Sequence, residues 1–232
     1  MKNDDFKETY TENGMEVEKK GDAAGRLNPS FWRTVRSLKN INRLNLLKRV
    51  YDSGGKLGVT SVGSSVNVNE PLASNYLRQM NARGIISVKR NSKFVYYGTS
   101  PDRSLPRAIS LQDAFREYFK HELKKGWQRE LWTIMDGFSH YNRLNIIRYL
   151  AVMGKCSRAA LIQSAGIMEK NFEHHFAKIK RAGIVERKSY GPKNYYYVIA
   201  PQSNPIAKTL LAAATYDLKF GNLLTDKSNP QS

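Results

Sequence analysis

The hydrophobic positions of this chain fall at helical spacing twice over, in the same order both times. A first helix-period stretch places Phe31, Val35, Leu38, Ile41, Leu44 and Leu47 on one face. Its counterpart carries Leu131, Ile134, Met135, Phe138, Tyr141, Leu144 and Ile147, with Arg143 and Arg148 expected on the opposite side. A turn follows in each case, Ser53-Gly54-Gly55 or Met153-Gly154-Lys155. Next comes a short amphipathic segment with Val59, Val62 and Val66, or with Ala159, Leu161 and Ala165. A third helical segment runs from Glu70 through Leu72, Tyr76, Leu77 and Met80, and again from Glu169 through Phe172, His175, Phe176 and Ile179. Each ends at a glycine, Gly84 or Gly183, where a helix terminus favours a left-handed residue.

The β-branched residues after those glycines predict an extended segment that turns into a hairpin. In the first, Ile86, Val88 and Phe94 to Tyr97 flank a polar tip, Lys89-Arg90-Asn91-Ser92-Lys93. In the second, Val185 and Tyr195 to Val198 flank the tip Arg187 to Asn194, which contains Lys188, Tyr190 and Lys193.

The two halves are copies. Asn42-Arg43-Leu44-Asn45 recurs as Asn142-Arg143-Leu144-Asn145 at an offset of 100 residues, and Trp32, Tyr96, Tyr97 and Pro101 match Trp132, Tyr196, Tyr197 and Pro201. In between, the offset drops to 99, so that Glu70 matches Glu169 and Gly84 matches Gly183. Small loop insertions of this kind are what duplicated domains accumulate. The expected organisation is a flexible charged leader over 1–27, one domain over 28–125, a second over 126–224 and a polar tail over 225–232. Two units of roughly 95 residues each suit small independent domains.

Helix, short helix, helix and then a basic two-stranded ribbon is the order of a winged helix-turn-helix, so the expected fold is mainly α with small β-hairpin wings, in two tandem copies. In that fold the third helix enters the major groove of double-stranded DNA and the wing touches the flanking backbone. Because the apolar positions of the third helix must face the core, its exposed polar positions are the candidate base readers: Ser74, Asn75 and Arg78 in copy one, Lys170, His174 and Lys178 in copy two. Lys89, Arg90 and Lys93 on the first wing, and Arg187, Lys188 and Lys193 on the second, are candidates for phosphate contact. Tyr190 either lies against a sugar or covers the hairpin. Glu70, Glu169 and Glu173 cut against groove entry, although a carboxylate accepts from the cytosine amino group and also suits a helix N-terminus. The aligned positions differ, Ser74 with Glu173, Asn75 with His174 and Arg78 with Ala177, which predicts two unlike half-sites and an asymmetric target.

Asn42 to Leu47, Tyr76-Leu77, Met80, Ala82-Arg83-Gly84-Ile85-Ile86 and Val95-Tyr96-Tyr97 resemble ArsR-type winged-helix repressors. Copy two is similar through His175-Phe176, Ala182-Gly183-Ile184-Val185 and Tyr195-Tyr196-Tyr197. The resemblance implies transcriptional regulation and dimerisation through helices outside the reading motif. It does not carry a metal site across: the chain has one cysteine, Cys156, and four histidines that look scattered, so no metal or other cofactor is expected. Adjacent His174 and His175 lie on different faces of a helix. Cys156 reads as a packing residue at the start of a short helix.

Charge sharpens the choice of partner. With 38 Lys and Arg against 20 Asp and Glu the chain carries +18, and a leader at −2 leaves +20 on the rest, which favours a polyanion. The acidic leader is either an arm that competes with nucleic acid or an inert solvated segment. No apolar run reaches the roughly 20 residues of a membrane span, and the expected location is cytoplasmic, with the nucleoid. An amphipathic segment with Leu111, Phe115, Tyr118, Phe119 and Leu123, broken near Gly126, links the copies; it and the apolar stretch from Ile206 to Leu218 predict an intramolecular pseudo-dimer, with a homodimer as the competing arrangement. Three function classes remain open at this level: a transcription regulator, a replication or partition initiator of a mobile element, and a protein-interaction scaffold, which the charge disfavours. No phosphate-binding glycine loop or nuclease-type carboxylate cluster points to an enzyme.

Overall fold

The computed structural model describes residues 10–12, 15–17, 31–55, 57–92, 94–100, 106–189 and 195–225. Residues 1–30 and 31–232 form separate units. In the first, β1 (Tyr10–Glu12) and β2 (Met15–Val17) pair as an antiparallel ladder with Glu12 opposite Met15. The leader, expected to be a flexible charged tail, therefore contains a paired antiparallel ladder. Its signal was present in the sequence, since Asn13-Gly14 between two short alternating runs is the strongest two-residue hairpin signature.

In the second unit one element order occurs twice. Copy one runs α1 (Phe31–Leu38), α2 (Ile41–Asp52), α3 (Val59–Ser64), α4 (Glu70–Ala82), β3 (Ser87–Asn91), β4 (Phe94–Gly98) and α5 (Pro106–Lys120). Copy two runs α6 (Trp127–Phe138), α7 (Tyr141–Met153), β5 (Lys155–Cys156), α8 (Arg158–Ser164), α9 (Glu169–Arg181), β6 (Val185–Ser189), β7 (Tyr195–Ile199) and α10 (Pro205–Thr225). The architecture is mainly helical with small antiparallel sheets.

The first helix-period stretch of each copy is two helices. Asn40 caps α2 by accepting from the Arg43 amide at 3.1 Å, and His140 Nδ1 accepts from the Asn142 amide at 3.1 Å ahead of α7. The chain turns at these caps while the apolar spacing continues, so the break is invisible to periodicity; Ile41, counted on the apolar face, is 49% exposed. Arg143, expected opposite the apolar face, is 3% exposed and buried in the fold. Arg148 is half-buried and donates from Nε to the Ala214 carbonyl of α10 at 2.9 Å.

Both α4 and α9 end as their glycines predict. Gly84 and Gly183 each have φ +69°, and the amides of Ile85 and Ile184 reach back to the Met80 and Ile179 carbonyls at 3.0 Å. The wing of copy one is tighter than expected: Lys89 and Arg90 are strand residues opposite Tyr96 and Val95, and Asn91 pairs with Phe94. In copy two, Arg187 and Lys188 likewise sit in β6, opposite Tyr197 and Tyr196. A third strand, β5, adds to β7 with Cys156 opposite Tyr197, so Cys156 is a buried strand residue and α8 begins only at Arg158, capped by Ser157. Burial pushes its thiol pKa up. In copy one the matching contact is a single bridge from Gly58 to Tyr96.

The copies pack on each other within the second unit. α1 lies against α6, with Phe31 and Phe138 edge-to-face at 6.3 Å, and α5 lies against α10. Leu111, Ala114, Phe115 and Phe119 of α5 are buried, as are Ile206, Ala207, Leu210 and Ala214 of α10. Lys39 of copy one reaches the buried Asp136 of copy two at 2.6 Å. Gln128 donates to Asn45 Oδ1 at 3.2 Å, which gives that member of the repeated tetrapeptide a contact between copies.

Candidate nucleic-acid interface

In copy one the candidate surface is the outer face of α4. Asn69 caps the helix by accepting from the Leu72 amide at 3.0 Å, and Ala73, Leu77 and Met80 bury its inner face. That rotation leaves Asn75 and Arg78 exposed and Ser74 half-buried. Asn75 is also oriented. Arg43, the repeat-motif arginine, donates to Gln79 Oε1 at 2.6 Å, and Gln79 Nε2 donates to Asn75 Oδ1 at 3.1 Å. The relay occupies the carbonyl oxygen of Asn75 and leaves its amide nitrogen as the outward donor. Arg43 itself is fixed by the Ser37 carbonyl at 2.8 Å and by the Tyr76 ring at 4.6 Å.

Lys89 and Arg90 are exposed on β3. The structure brings Arg90 and Arg78 together around the buried Tyr97: burial raises the Tyr97 pKa, and these two guanidiniums pull it back down. Arg78 on α4 and Lys89 and Arg90 on β3 are all exposed. Phe94, at the end of the hairpin, is 59% exposed. Sequence patterning treated it as a strand aromatic, because strand alternation cannot tell a core-facing ring from a solvent-facing one in a two-stranded ribbon. Lys93, Tyr190 and Lys193 lie outside the described residues.

Copy two is built differently. Phe172, His175, Phe176 and Ile179 bury the inner face of α9, leaving Lys170 and His174 exposed. Lys178 departs from expectation. It is half-buried, its Nζ 3.9 Å from Asp136 Oδ2, and burial lowers its pKa against the pull of that carboxylate. It faces the α6 helix that packs on α9. Glu169 and Glu173 do not stand as free carboxylates: Arg158 reaches them at 2.6 and 3.2 Å, and its guanidinium lies 5.3 Å from the Phe172 ring centre. Arg158, Glu173 and Arg187 meet around Tyr197. Arg158 was missed because it falls on the short helix, where the amphipathic pattern drew attention to its apolar positions. Arg187 and Lys188 are exposed, with Lys188 Nζ 3.0 Å from Glu186.

Three of the four histidines are neighbours, which corrects the impression of scatter. The rings of His140 and His175 are 4.6 Å apart and those of His174 and His175 are 5.6 Å apart. His175 is buried, its Nε2 3.2 Å from Asn142 Nδ2, and its pKa is pushed down to about 4 by burial, with His140, Arg143, His174 and Lys178 adding to the effect. Among the described residues no group of three or more His, Cys, Asp or Glu side chains is arranged to hold a metal ion. Among the same residues no helix is long and apolar enough to cross a membrane.

Comparison with known proteins gives a result in keeping with this geometry. No family model and no solved structure matches the chain. The chain is similar to an uncharacterized HTH-type transcriptional regulator of Methanocaldococcus jannaschii, with 29% identity over 75 residues, a stretch that spans 32% of this chain and 84% of that protein. At that level the similarity points to a helix-turn-helix regulator.

Proposed function

We propose that this chain binds double-stranded DNA sequence-specifically through two tandem winged helix-turn-helix domains, over 28–125 and 126–224, and regulates transcription in the cytoplasm as a binder rather than a catalyst. The observation that carries the proposal is the exposed polar and basic set on α4 and β3, with Asn75 and Arg78 on the outer face of the helix and Lys89 and Arg90 on the hairpin. An Arg in a groove-facing helix makes paired contacts to a guanine edge, an outward Asn amide nitrogen donates to a base-edge acceptor, and the wing lysine and arginine neutralise phosphates. A charge of +18 and the similarity to a protein named as an HTH-type transcriptional regulator support the same reading. The likeness to ArsR-type repressors is part of this proposal, as is the pseudo-dimer, which the packing of α5 on α10 supports. In this arrangement Ser74, Asn75 and Arg78 read one half-site and Lys170 and His174 touch another, so the target is bipartite and asymmetric.

The test is selection from a random duplex pool across a salt series, followed by sequencing of the retained fraction. An enriched, asymmetric bipartite site is the expected result. Salt-sensitive retention without enrichment would remove sequence specificity, a perfect inverted repeat would remove the unlike half-sites, and no retention at physiological salt would remove DNA as the partner.

A further inference from the structure

We infer that the cavity between the start of α6, the end of α9 and the β7–α10 connection binds a small effector bearing a carboxylate or phosphate group, and that its occupancy is felt by α9. The binding half stands on the cavity alone, and the coupling half rests on the DNA-reading proposal.

The cavity holds about 610 Å3, within the range of small-molecule sites. Arg129 and Arg181 line it from α6 and from the last residue of α9. Both are exposed, and neither guanidinium has a hydrogen bond or ion pair among the described residues. Glu130 is the acidic residue of the lining, and its oxygens are occupied by neutral donors: Asn204 Nδ2 donates at 2.6 Å and the Tyr118 hydroxyl at 3.4 Å. Two guanidiniums against one engaged carboxylate leave a surplus of charge-bearing N–H donors, and their planar fork matches carboxylate and phosphate oxygens. Ser203 lines the same wall.

In copy one the carbonyl of the corresponding glycine is held from α5. There Gln112 of α5, 1% exposed, donates to the Gly84 carbonyl at 2.8 Å and to the Ile85 carbonyl at 3.2 Å. In copy two the corresponding carbonyl, that of Gly183, accepts from Gln202 at 2.9 Å, and both residues line the open cavity. The glycine that terminates α9 is thus a wall of the site. A ligand drawn to Arg181 acts on the end of the helix whose first turns carry Lys170 and His174.

Thermal melting of the full chain at constant ionic strength, with inorganic phosphate or succinate as the probe, tests the binding half. Saturable stabilisation is expected, with apparent affinity at least about tenfold weaker in Arg129→Ala/Arg181→Ala and kept in Lys120→Ala/Lys155→Ala, which removes equal charge from exposed positions outside both proposed sites. Saturation by phosphate alone assigns a phosphorylated ligand, and by succinate alone a carboxylate. Equal losses in the two double variants, or no saturation, would overturn the site. Duplex affinity with and without the saturating probe tests the coupling: a shift in the wild type that Arg129→Ala/Arg181→Ala abolishes is expected, and an unchanged affinity overturns it. Saturable stabilisation in a chain that binds no duplex would leave the site standing and remove the DNA-reading proposal.

Discussion

At the corner between its first two helices each copy uses the same arginine, yet the groups that arginine serves are different. Arg43 passes its hydrogen bond through Gln79 to Asn75 on the exposed face of α4. Arg143 is 3.1 Å from Ser139 Oγ and 3.5 Å from Asp136, and Asp136 also draws in Lys39 and Lys178. The residue aligned with Gln79 is Lys178, and the one aligned with Asn75 is His174. Copy one therefore presents neutral and basic donors held in a set orientation. In copy two, one basic residue of the reading helix is engaged by a buried carboxylate, and the two exposed carboxylates of that helix are clasped by Arg158. Duplication kept the buried corner, where packing density resists change, and let the exposed positions diverge. On the proposed function, copy one reads its half-site more strongly than copy two, which adds more backbone contact than base contact.

The largest expected effect breaks that division most directly. Arg78→Ala removes a bidentate donor and is expected to cost about 1–3 kcal/mol, or roughly 5- to 150-fold in affinity for the selected duplex, and to relax the sequence preference at one position. His174→Ala is expected to change affinity by less than about threefold, with a weaker relaxation of sequence preference confined to the second half-site. Anisotropy titrations of both variants against the selected site and single-base mismatches decide the matter. Equal effects would mean that both copies read equally.

The second prediction concerns acid. Copy two has His175 where copy one has Tyr76. With its native pKa at about 4, His175 stays neutral in the fold while the unfolded chain, near 6.5, takes up a proton. The unfolded state binds more protons between those values, so stability is full above pH ~6.5, falls as pH drops towards ~4 and loses nothing further from this group below that. Urea unfolding is expected to show the folded-to-unfolded ratio falling by roughly 300-fold across that window. His175→Gln is expected to flatten the slope, leaving the smaller contribution of His140, whose pKa burial also lowers. An unaltered slope in His175→Gln would place the acid sensitivity elsewhere.

What the sequence made legible was periodic or local. Helix order, the two glycine termini and the apolar faces of α4, α5 and α9 follow from spacing alone. Less legible were features set by partners distant in the chain. Arg143 looks solvent-facing on a helical projection, and only the packing of α6 explains why it is buried beside Asp136. Lys178 looks like a free basic residue until α6 brings Asp136 to it. The split of α1 from α2 hides because Asn40 turns the chain without disturbing the apolar period. Of the interface candidates, the exposed set Asn75, Arg78, Lys89, Arg90, Lys170, His174, Arg187 and Lys188 was reachable from the pattern. The Arg43–Gln79–Asn75 relay and the Arg158 clasp were not, since each joins helices through side chains with no periodic signature.

The smallest effect sharpens the comparison at the front of α9. If Arg158 serves to neutralise Glu169 and Glu173, then Arg158→Ala exposes two carboxylates to DNA phosphates and weakens duplex binding about threefold, more at low salt than at high. Folding stability is expected to change little, because both ion pairs are exposed. An arginine that itself contacts phosphate would give the same first result, so the deciding variant is Arg158→Ala/Glu173→Gln. Removing one of the unmasked carboxylates is expected to restore most of the lost affinity and to bring the salt slope back towards that of the wild type. Should the double variant bind as weakly as Arg158→Ala, Arg158 touches the backbone directly, and copy two contributes a contact that the clasp only holds in reserve.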